Sequence, residues 1–235
     1  MDSKQISVIK VGGSILSLSN DVLFDFPKAK ELKELLIPLS DKHKFVLITG
    51  GGYICRVYQK LLKDEGYSDY DQHYVGTCTC NLNAIMLRTV FGEEAEESVL
   101  TFNDFDSPEE IKFEKNFLLG GAAKPGPSSD WDAAFIAKRV GAKKVLSLKD
   151  IDGVYTADPK KDPSAKRLDK ISWEEYMQII GNPDAHKPGG NLPVDPLAAK
   201  FCMENGIGFF IISGNDFENI GKLLKGENYV GTVIE

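Results

Sequence analysis

The chain has 235 residues, of which 42% are hydrophobic and 27% are charged, and this balance excludes a disordered or fibrous protein. Its 28 basic and 35 acidic side chains give a net charge of −7, which argues against a broad nucleic-acid-binding surface but allows a local site for a small anion. No apolar run approaches the roughly 20 residues that cross a bilayer, and four cysteines are too few for a disulfide scaffold. We therefore expect a cytoplasmic protein with neither a membrane nor a nucleic-acid partner.

Short, apolar, β-branched runs recur along the chain, and a helix-like segment follows most of them. In chain order, the predicted strands are residues 6–11, 45–48, 99–102, 117–119, 144–148 and 209–212. The predicted helices are residues 27–39, 53–63, 81–91 and 130–140, then one that Ser172 and Glu175 begin as a capping box and one between Asp195 and Gly206. Because the strands are continuously apolar, both of their faces should be covered.

The alternation of strands and helices predicts an α/β fold, namely a three-layer αβα sandwich with a mostly parallel sheet. We expect one domain over residues 1–235, with a softer division near Gly120 between an N-terminal half of about 1–120 and a C-terminal half of about 121–235. The Pro- and Gly-rich residues 181–193 are predicted to form a loop or a lid.

Three glycine clusters fall where predicted strands end. They are Gly12-Gly13, Gly50-Gly51-Gly52 and Gly120-Gly121. Ligands of an open parallel sheet bind outside the carboxyl ends of its strands, and glycine lets backbone N–H groups approach a phosphate. Tight turns without a ligand are the alternative interpretation. Neither the P-loop pattern nor the dinucleotide-binding glycine pattern is present, which disfavours both of those classes.

Lys10 ends the first apolar strand, two residues before Gly12. A buried strand rarely carries a lysine without a partner, so this side chain either bridges a transferred phosphoryl group or reaches solvent at the strand edge. Residues 128–130, Ser-Ser-Asp, would by default be a helix N-cap. Residues 149–161 combine turn signals with lysines, carboxylates and a tyrosine, a mixture that suits either plain turns or a nucleotide base with its phosphates.

Taken together and in this order, these segments resemble the amino acid kinase family, and within it the archaeal and bacterial enzymes that phosphorylate UMP. The matching segments are residues 8–14, 50–52 with Arg56, 83–84, 128–130, 152–159, 194–200 and 231–234. The resemblance covers nearly the whole chain. It implies direct, in-line phosphoryl transfer from ATP to UMP, giving UDP and ADP, with Mg²⁺ as a cofactor and assembly into a hexamer.

The resemblance also assigns roles to individual residues. Lys10 would neutralise the migrating phosphoryl group, and Asp130 would organise Lys10 and the Mg²⁺–phosphate assembly. The N–H groups of Gly12, Gly13 and Ser14 would donate to the ATP phosphates. The residues placed around ATP are Lys10, Gly12, Gly13, Ser14, Gly52 and Arg56 at the phosphates, and Lys149, Asp150, Tyr155 and Asp158 at the adenosine. The residues placed at the acceptor are Gly51, Gly120, Gly121, Pro125, Gly126, Ser128 and Ser129.

The acceptor side departs from the family pattern. The family has an Asp that grips the acceptor ribose three residues before Gly76; His73 stands there, with Asp71 two residues further back, and both are candidate acceptor contacts. Cys80 stands where the family has a threonine, and residues 120–125 form a loop one residue longer than usual. Buried polar contacts dominate the choice of one acceptor over another. Two alternatives to UMP phosphorylation therefore stay open: a kinase for another small acidic acceptor, or an ATP-binding protein that stores molybdate or tungstate.

The cysteines are Cys55, Cys78, Cys80 and Cys202, and their spacing lacks the paired pattern of a metal site. We expect them to be packing thiols and predict no protein-bound metal centre. The metal expected here is the Mg²⁺ that would accompany ATP.

Overall fold

The computed structural model describes residues 4–101, 104, 111–159, 161–181 and 192–235. Within these residues the strands are β1 (Gln5–Val11), β2 (His43–Thr49), β3 (Phe117–Gly120), β4 (Lys144–Lys149), β5 (Val154–Tyr155), β6 (Arg167–Leu168), β7 (Lys170–Ile171), β8 (Gly208–Ser213) and β9 (Thr232–Ile234). Seven of them form one sheet in the order β3-β2-β1-β4-β8-β9-β7, whereas β5 and β6 pair as a separate antiparallel ribbon. Neighbours in the large sheet are parallel, except β8 and β9.

Helices cover both faces of this sheet. In the described residues they are α1 (Gly13–Leu16), α2 (Phe26–Leu36), α3 (Gly52–Asp64), α4 (Asp69–Phe91), α5 (Ser129–Arg139), α6 (Trp173–Ile179), α7 (Pro196–Asn205) and α8 (Phe217–Leu224), with 3₁₀ segments at Ile37–Asp41 and Gly92–Glu94. One core lies between the sheet and α5, α6 and α7, and the other between the sheet and α1, α2, α4 and α8. Val8 packs into the first core and its neighbour Ile9 into the second. The predicted three-layer αβα sandwich with a mostly parallel sheet is therefore confirmed.

Several helix boundaries follow the capping signals of the sequence. At the start of α7, the Asp195 side chain accepts the N–H groups of Leu197 and Ala198, at 2.9 and 3.1 Å, and Gly206 ends the helix with a φ of +61°. The predicted capping box at Ser172 begins α6. None of the described helices has the length and apolarity needed to cross a membrane.

Two predicted helices have different bounds in the structure. The helix expected over residues 81–91 is the second half of α4, which starts well before it because Ser68 and Asp71 form a capping box. The helix expected over residues 27–39 is α2, which ends earlier and turns into a 3₁₀ segment. Pro38 lies in that segment, and its missing N–H cannot continue an α-helix.

The strand expected over residues 99–102 was wrong for its described part, in which Leu100 forms only an isolated bridge with Gly120. The short strands β5, β6 and β7 were not predicted, since two residues are too few to show a pattern. Of the loop predicted over residues 181–193, residues 182–191 lie outside the described part of the chain.

The strand order brings the carboxyl ends of β1, β2, β3 and β4 to one edge of the sheet. Lys10 of β1 lies opposite Ile48 of β2 and Ser147 of β4, and Ile48 lies opposite Gly120 of β3. The glycine turns after β1 and β2, the loop after β3 and the end of β4 therefore meet at this edge, where ligands of parallel sheets bind.

Candidate active site

The glycine turns after β1 and β2 pack backbone against backbone. A Cβ atom on Gly13 would come within 2.1 Å of the Gly52 nitrogen, and one on Gly50 within 2.7 Å of the Gly13 nitrogen. Gly52 also has a φ of +69°, a conformation that other residues rarely adopt. Glycine is thus required by packing at these positions, because the two turns contact each other through their backbones.

Lys10, Asp130 and Lys149 form a buried ionic group at this edge, which we call the Lys–Asp–Lys cluster. Lys10 Nζ lies 3.2 Å from Asp130 Oδ1. Lys149 Nζ donates to both carboxylate oxygens of Asp130, at 3.0 and 2.9 Å. All three residues are at most 9% exposed. Two ammonium groups therefore share one carboxylate, and the fully charged cluster has an excess of one positive charge.

The charges of this cluster depend on one another. Burial by itself would raise the pKa of Asp130, but the ammonium groups of Lys10 and Lys149 outweigh it and hold that pKa below its ordinary value. Burial lowers the pKa of Lys149 to about 8; Asp130 opposes this shift, and the charge of Lys10 adds to it. Asp130 is therefore ionised at neutral pH, and the charge of Lys149 changes just above neutrality.

The start of α5 holds Asp130 in place. Ser128 is the N-cap, and its Oγ accepts the N–H of Asp130 at 3.2 Å. The same hydroxyl donates to the carboxylate of Asp195, which caps α7. Ser129 Oγ lies 3.2 Å from the position that a Cβ on Gly50 would occupy. The segment is thus a helix cap, as its residue types indicate, and it also joins α5 to the second glycine turn.

Asn83 of α4 fixes the second glycine turn through hydrogen bonds to its carbonyl groups. Its Nδ2 donates to the carbonyl of Gly50 at 2.7 Å and to that of Gly51 at 3.1 Å. A Cβ on Gly51 would lie 2.6 Å from the Cβ of Cys55 and 2.8 Å from Thr79 Oγ1. Gly51 is thus enclosed by α3 and α4. The contact with Thr79 was missed because the sequence pattern did not reveal that part of α4.

Four of the residues predicted to face the acceptor lie at the end of β3 and in the loop that follows it. Gly120 is the buried last residue of β3, and Gly126 has a φ of +116°. Pro125 is half-buried between them. A Cβ on Gly121 would come within 2.1 Å of Asn81 Oδ1, so this glycine is pressed against α4. The structure therefore brings this loop to the sheet edge that carries the Lys–Asp–Lys cluster.

Asp71 and His73 lie in the first turns of α4. Asp71 Oδ2 accepts the N–H of Ser68 at 3.2 Å and its hydroxyl at 2.5 Å, so the carboxylate forms part of the helix cap. His73 is half-buried, and its carbonyl accepts the Thr77 hydroxyl at 3.0 Å. The Ser-x-x-Asp spacing is a capping signal that was available in the sequence and that locates the start of this helix.

The residues predicted at the ATP phosphates lie at the two glycine turns. The Gly12 N–H donates to the Leu148 carbonyl at 2.9 Å, which corrects the expectation that this amide donates to a phosphate. Gly13 and Ser14 open α1, where the first N–H groups of a helix have no partner within it. Arg56 is exposed on α3.

The residues predicted at the adenosine lie beyond β4. The Tyr155 hydroxyl donates to Asp152 Oδ1 at 2.9 Å, and Asp150 and Asp158 are exposed. Lys149 stands apart from them, because its ammonium group contacts Asp130 inside the cluster.

Among the described residues, no group of three or more His, Cys, Asp or Glu side chains could hold a metal ion. Burial raises the pKa of the free thiols of Cys55 and Cys80, which keeps both neutral and makes them poor metal ligands. Asp130 already contacts two ammonium groups. A divalent ion at this site would therefore take most of its ligands from a substrate and from water.

The two glycine turns and the buried cationic cluster thus meet at the carboxyl ends of adjacent parallel strands. Backbone turns of this kind bind anions, and preorganised ammonium groups stabilise the charge of a phosphoryl group in transfer. This fold and site define an α/β phosphotransferase.

The chain belongs to the amino acid kinase family, which matches residues 5–213. It is 32% identical over 228 residues to the uridylate kinase of Thermococcus kodakarensis, with 97% of this chain and 98% of the relative covered. It is 33% identical over 227 residues to that of Archaeoglobus fulgidus, with the same coverage. The crystal structure of the Archaeoglobus fulgidus uridylate kinase matches with a TM-score of 0.78 and 30% identity over 98% of this chain and 100% of that one. The UMP kinase of Bacillus anthracis, at 19% identity, a TM-score of 0.80 and coverage of 98% and 96%, supports the fold alone.

Proposed function

We propose that this chain transfers the γ-phosphoryl group of ATP to UMP and so forms UDP and ADP. The observation that carries the proposal is the buried Lys–Asp–Lys cluster beside the glycine turns. Relatives named uridylate kinase match almost the whole chain at 32% and 33% identity. The cluster supports the chemistry, and the relatives support the acceptor.

Lys10 is the group that meets the migrating phosphoryl group. It is buried at the end of β1 and tethered by Asp130, so its ammonium group is in position before a substrate arrives. Phosphoryl transfer depends mainly on positioning and on neutralising charge on the phosphoryl oxygens. The excess positive charge of the cluster supplies that neutralisation, and Asp130 keeps the two ammonium groups together.

Gly13 and Ser14 are the backbone donors to the ATP phosphates, because the Gly12 amide is already bonded to β4. Gly52 lines the same turn, and Arg56 adds a guanidinium suited to two-pronged contact with phosphate oxygens. Because Lys149 contacts Asp130, we assign it to the phosphates and not to the adenosine. The adenosine is assigned to the residues that follow β4, namely Asp150, Tyr155 and Asp158.

The acceptor binds between the second glycine turn, the loop after β3 and the start of α5. The residues assigned to it are Gly51, Gly120, Gly121, Pro125, Gly126, Ser128 and Ser129. Asp71 and His73 are assigned to its ribose side. A ribose contact by Asp71 has to compete with the two hydrogen bonds that this carboxylate accepts from Ser68.

Mg²⁺ fits the site as a companion of ATP. In nucleotide sites this ion usually keeps several waters and binds substrate phosphates together with one or two carboxylates, so no cage of protein ligands is needed. The side chains at the site are consistent with this mode of binding, since the described residues hold no group of three or more metal-ligating side chains. When bound, the ion would neutralise part of the phosphate charge.

Assembly and location are further proposals. Family resemblance supports a hexamer, and the free thiols of the four cysteines suit the cytoplasm. We also retain one domain, with an acceptor half before about residue 120 and an ATP half after it. Light scattering on the purified protein tests the hexamer.

The function is tested by ADP release with ATP, Mg²⁺ and one nucleotide at a time: UMP, CMP, dCMP, AMP or GMP. We expect turnover with UMP well above the others, and its loss in Lys10→Ala. Lys60→Ala is the matched control, because it removes an exposed lysine that pairs with Asp64 on α3. Robust ADP release from Lys10→Ala would overturn the chemistry, and preference for another nucleotide would overturn the acceptor.

A further inference from the structure

Side chains from two different helices hold consecutive N–H groups of the loop after β3. The Ala122 N–H donates to Oδ1 of Asn81 on α4 at 3.0 Å, and the Ala123 N–H donates to Oδ1 of Asp132 on α5 at 3.0 Å. Ala122 and Ala123 are each 3% exposed. We call Asn81 and Asp132 the loop clamp.

With the two clamp bonds, every backbone N–H group of residues 121–123 has an acceptor within the protein. The Gly121 N–H donates to the Leu100 carbonyl at 3.2 Å. The N–H groups of residues 121–123 are therefore all bonded to protein acceptors, and none of them is available to a ligand. Gly121 also lies so close to Asn81 that a Cβ would come within 2.6 Å of the Asn81 Cα. The shape of the loop is thus set by the protein before any ligand arrives.

Holding the loop with Asp132 costs free energy of folding. It is fully buried, and its Oδ2 has no hydrogen-bond partner among the described residues. A half-satisfied buried carboxyl costs stability, and an apolar side chain at this position would avoid that cost. Burial raises the pKa of Asp132 well above its ordinary range; the Ala123 N–H opposes this, and the carboxylates of Asp195 and Asp130 reinforce it. A gain in stability therefore does not explain why an aspartate occupies this position, whereas its hydrogen bond to the Ala123 N–H does.

The clamp is close enough to the Lys–Asp–Lys cluster for the charge of Asp130 to act on Asp132. Asp132 is two residues after Asp130 on α5, so both side chains depend on the position of one helix. Asn81 follows Cys80 on α4, and the charges of Asp132 and Lys10 both act on the Cys80 thiol. A displacement of the clamped loop would therefore change the distance between whatever binds against it and Lys10.

We propose that Asn81 and Asp132 are positioning residues for the phosphoryl acceptor and hold residues 121–123 in the shape against which it binds. This inference rests on the proposed function, in which the loop after β3 faces a nucleoside monophosphate. Among the described residues, the clamp hydrogen bonds go to Ala122 and Ala123 and not to the Lys–Asp–Lys cluster or to the glycine turns assigned to ATP. Its loss should therefore weaken acceptor binding and leave ATP binding intact.

Steady-state kinetics of Asn81→Ala, Asp132→Ala and the double variant test the proposal. We expect KM for UMP to rise about ten-fold or more in each single variant, because misplacing a binding element by about 1 Å greatly weakens productive binding. KM for ATP should stay within about two-fold of the wild type. In the double variant, the fold increase in KM for UMP should be smaller than the product of the two single increases, since both side chains hold one loop. Asn81→Asp and Asp132→Asn keep the Oδ1 acceptor and should restore most of the wild-type KM.

Asn219→Ala is the matched control. Asn219 is another buried side chain that holds a loop, through hydrogen bonds of 2.7 and 2.8 Å with the Val230 backbone. Its loss should lower stability without changing KM for UMP. The proposal is overturned if this control raises KM for UMP as much as the clamp variants do. It is also overturned if the clamp variants raise the KM values for UMP and ATP equally.

Amide hydrogen exchange separates a failure of this inference from a failure of the proposed function. The Ala122 and Ala123 amides should exchange slowly in the wild type, Asn81→Ala should release the first, and Asp132→Ala should release the second. Fast exchange of both amides in the wild type would overturn the clamp whatever the substrate is. A wild type that phosphorylates no nucleoside monophosphate would overturn the proposed function, and the acceptor role of the clamp with it.

Discussion

Lys149 donates to both carboxylate oxygens of Asp130, at 3.0 and 2.9 Å, from the strand next to the one that carries Lys10. Asp130 therefore stays paired when either lysine is removed. Each lysine, in contrast, depends on Asp130 to make its buried charge tolerable. The three members of the cluster should thus respond differently to substitution.

Asp130→Asn should be the most destabilising change in the cluster, because it leaves two buried ammonium groups without a counter-charge. Removing one partner of a buried pair costs about 3–5 kcal/mol, which denaturant unfolding would measure. Asp216→Asn is the control, since Asp216 caps α8 at the surface and asparagine caps equally well there. If both variants are equally stable, the two ammonium groups are not both charged in the folded protein.

The pH dependence of stability should reveal the buried ammonium group of Lys149. Its pKa falls from an ordinary 10.5 to about 8 on folding, so between these values the unfolded chain binds more protons than the folded one. The free energy of unfolding should therefore rise with pH across this window, by at most about 1.4 kcal/mol per pH unit, in comparison with Lys149→Met. Below about pH 8 both states are protonated and this contribution is flat. Urea unfolding of the two proteins at a series of pH values measures the difference, and a difference that falls as the pH rises contradicts the assignment.

Gly13→Ala should damage both stability and turnover, because the new Cβ would meet the Gly52 backbone at 2.1 Å. Overpacking against backbone typically costs about 1–3 kcal/mol, and here it also separates the two glycine turns. Gly221→Ala in α8 is the control, since its Cβ would meet only the end of the Leu35 side chain at 3.2 Å and alanine favours a helix. Thermal unfolding and ADP release should set the two variants apart, and equal behaviour would refute the close packing of the turns.

Ser128→Ala should lower kcat as well as stability, because Ser128 caps α5 at Asp130 and also donates to Asp195. Loss of an N-cap costs about 0.5–2 kcal/mol. Ser172→Ala removes the N-cap of α6 and should cost a similar amount while leaving kcat unchanged. Denaturant unfolding with steady-state kinetics tests the pair. A common fall in kcat would mean that global stability, and not the placement of Asp130, controls turnover.

The layers of the fold were predictable because strands buried on both faces are continuously apolar, as Val8 and Ile9 show. Lys10 was recognisable for the opposite reason, since a lysine breaks that pattern. The proximity of Lys10 and Lys149 was not predictable, because it depends on β1 and β4 being neighbours in the sheet. Local periodicity carries no information on strand order. The Gly12 amide was misassigned for the same reason, since its partner lies on β4.

The loop clamp was missed because its function is a contact between distant parts of the chain. Asn81 lies 41 positions from Ala122, and in the sequence it is one polar residue of a predicted helix. Asp132 looked like an acidic residue in the first turn of α5, where a carboxylate usually stabilises the helix end. Only the packing of α4 and α5 around the loop after β3 gives the two residues a common role.

In the proposed reaction, Lys10 neutralises a phosphoryl group on its way from ATP to UMP. Transfer of label from γ-³²P-ATP to UMP, compared at saturating substrates in the wild type and in Lys10→Ala, tests it most directly. We predict labelled UDP from the wild type and a kcat lower by about 10²–10³ in the variant, the usual effect of losing one preorganised electrostatic contact. The variant should remain folded, because Asp130 keeps Lys149 as its partner. Labelled UDP formed by Lys10→Ala at the wild-type rate would contradict this role of Lys10.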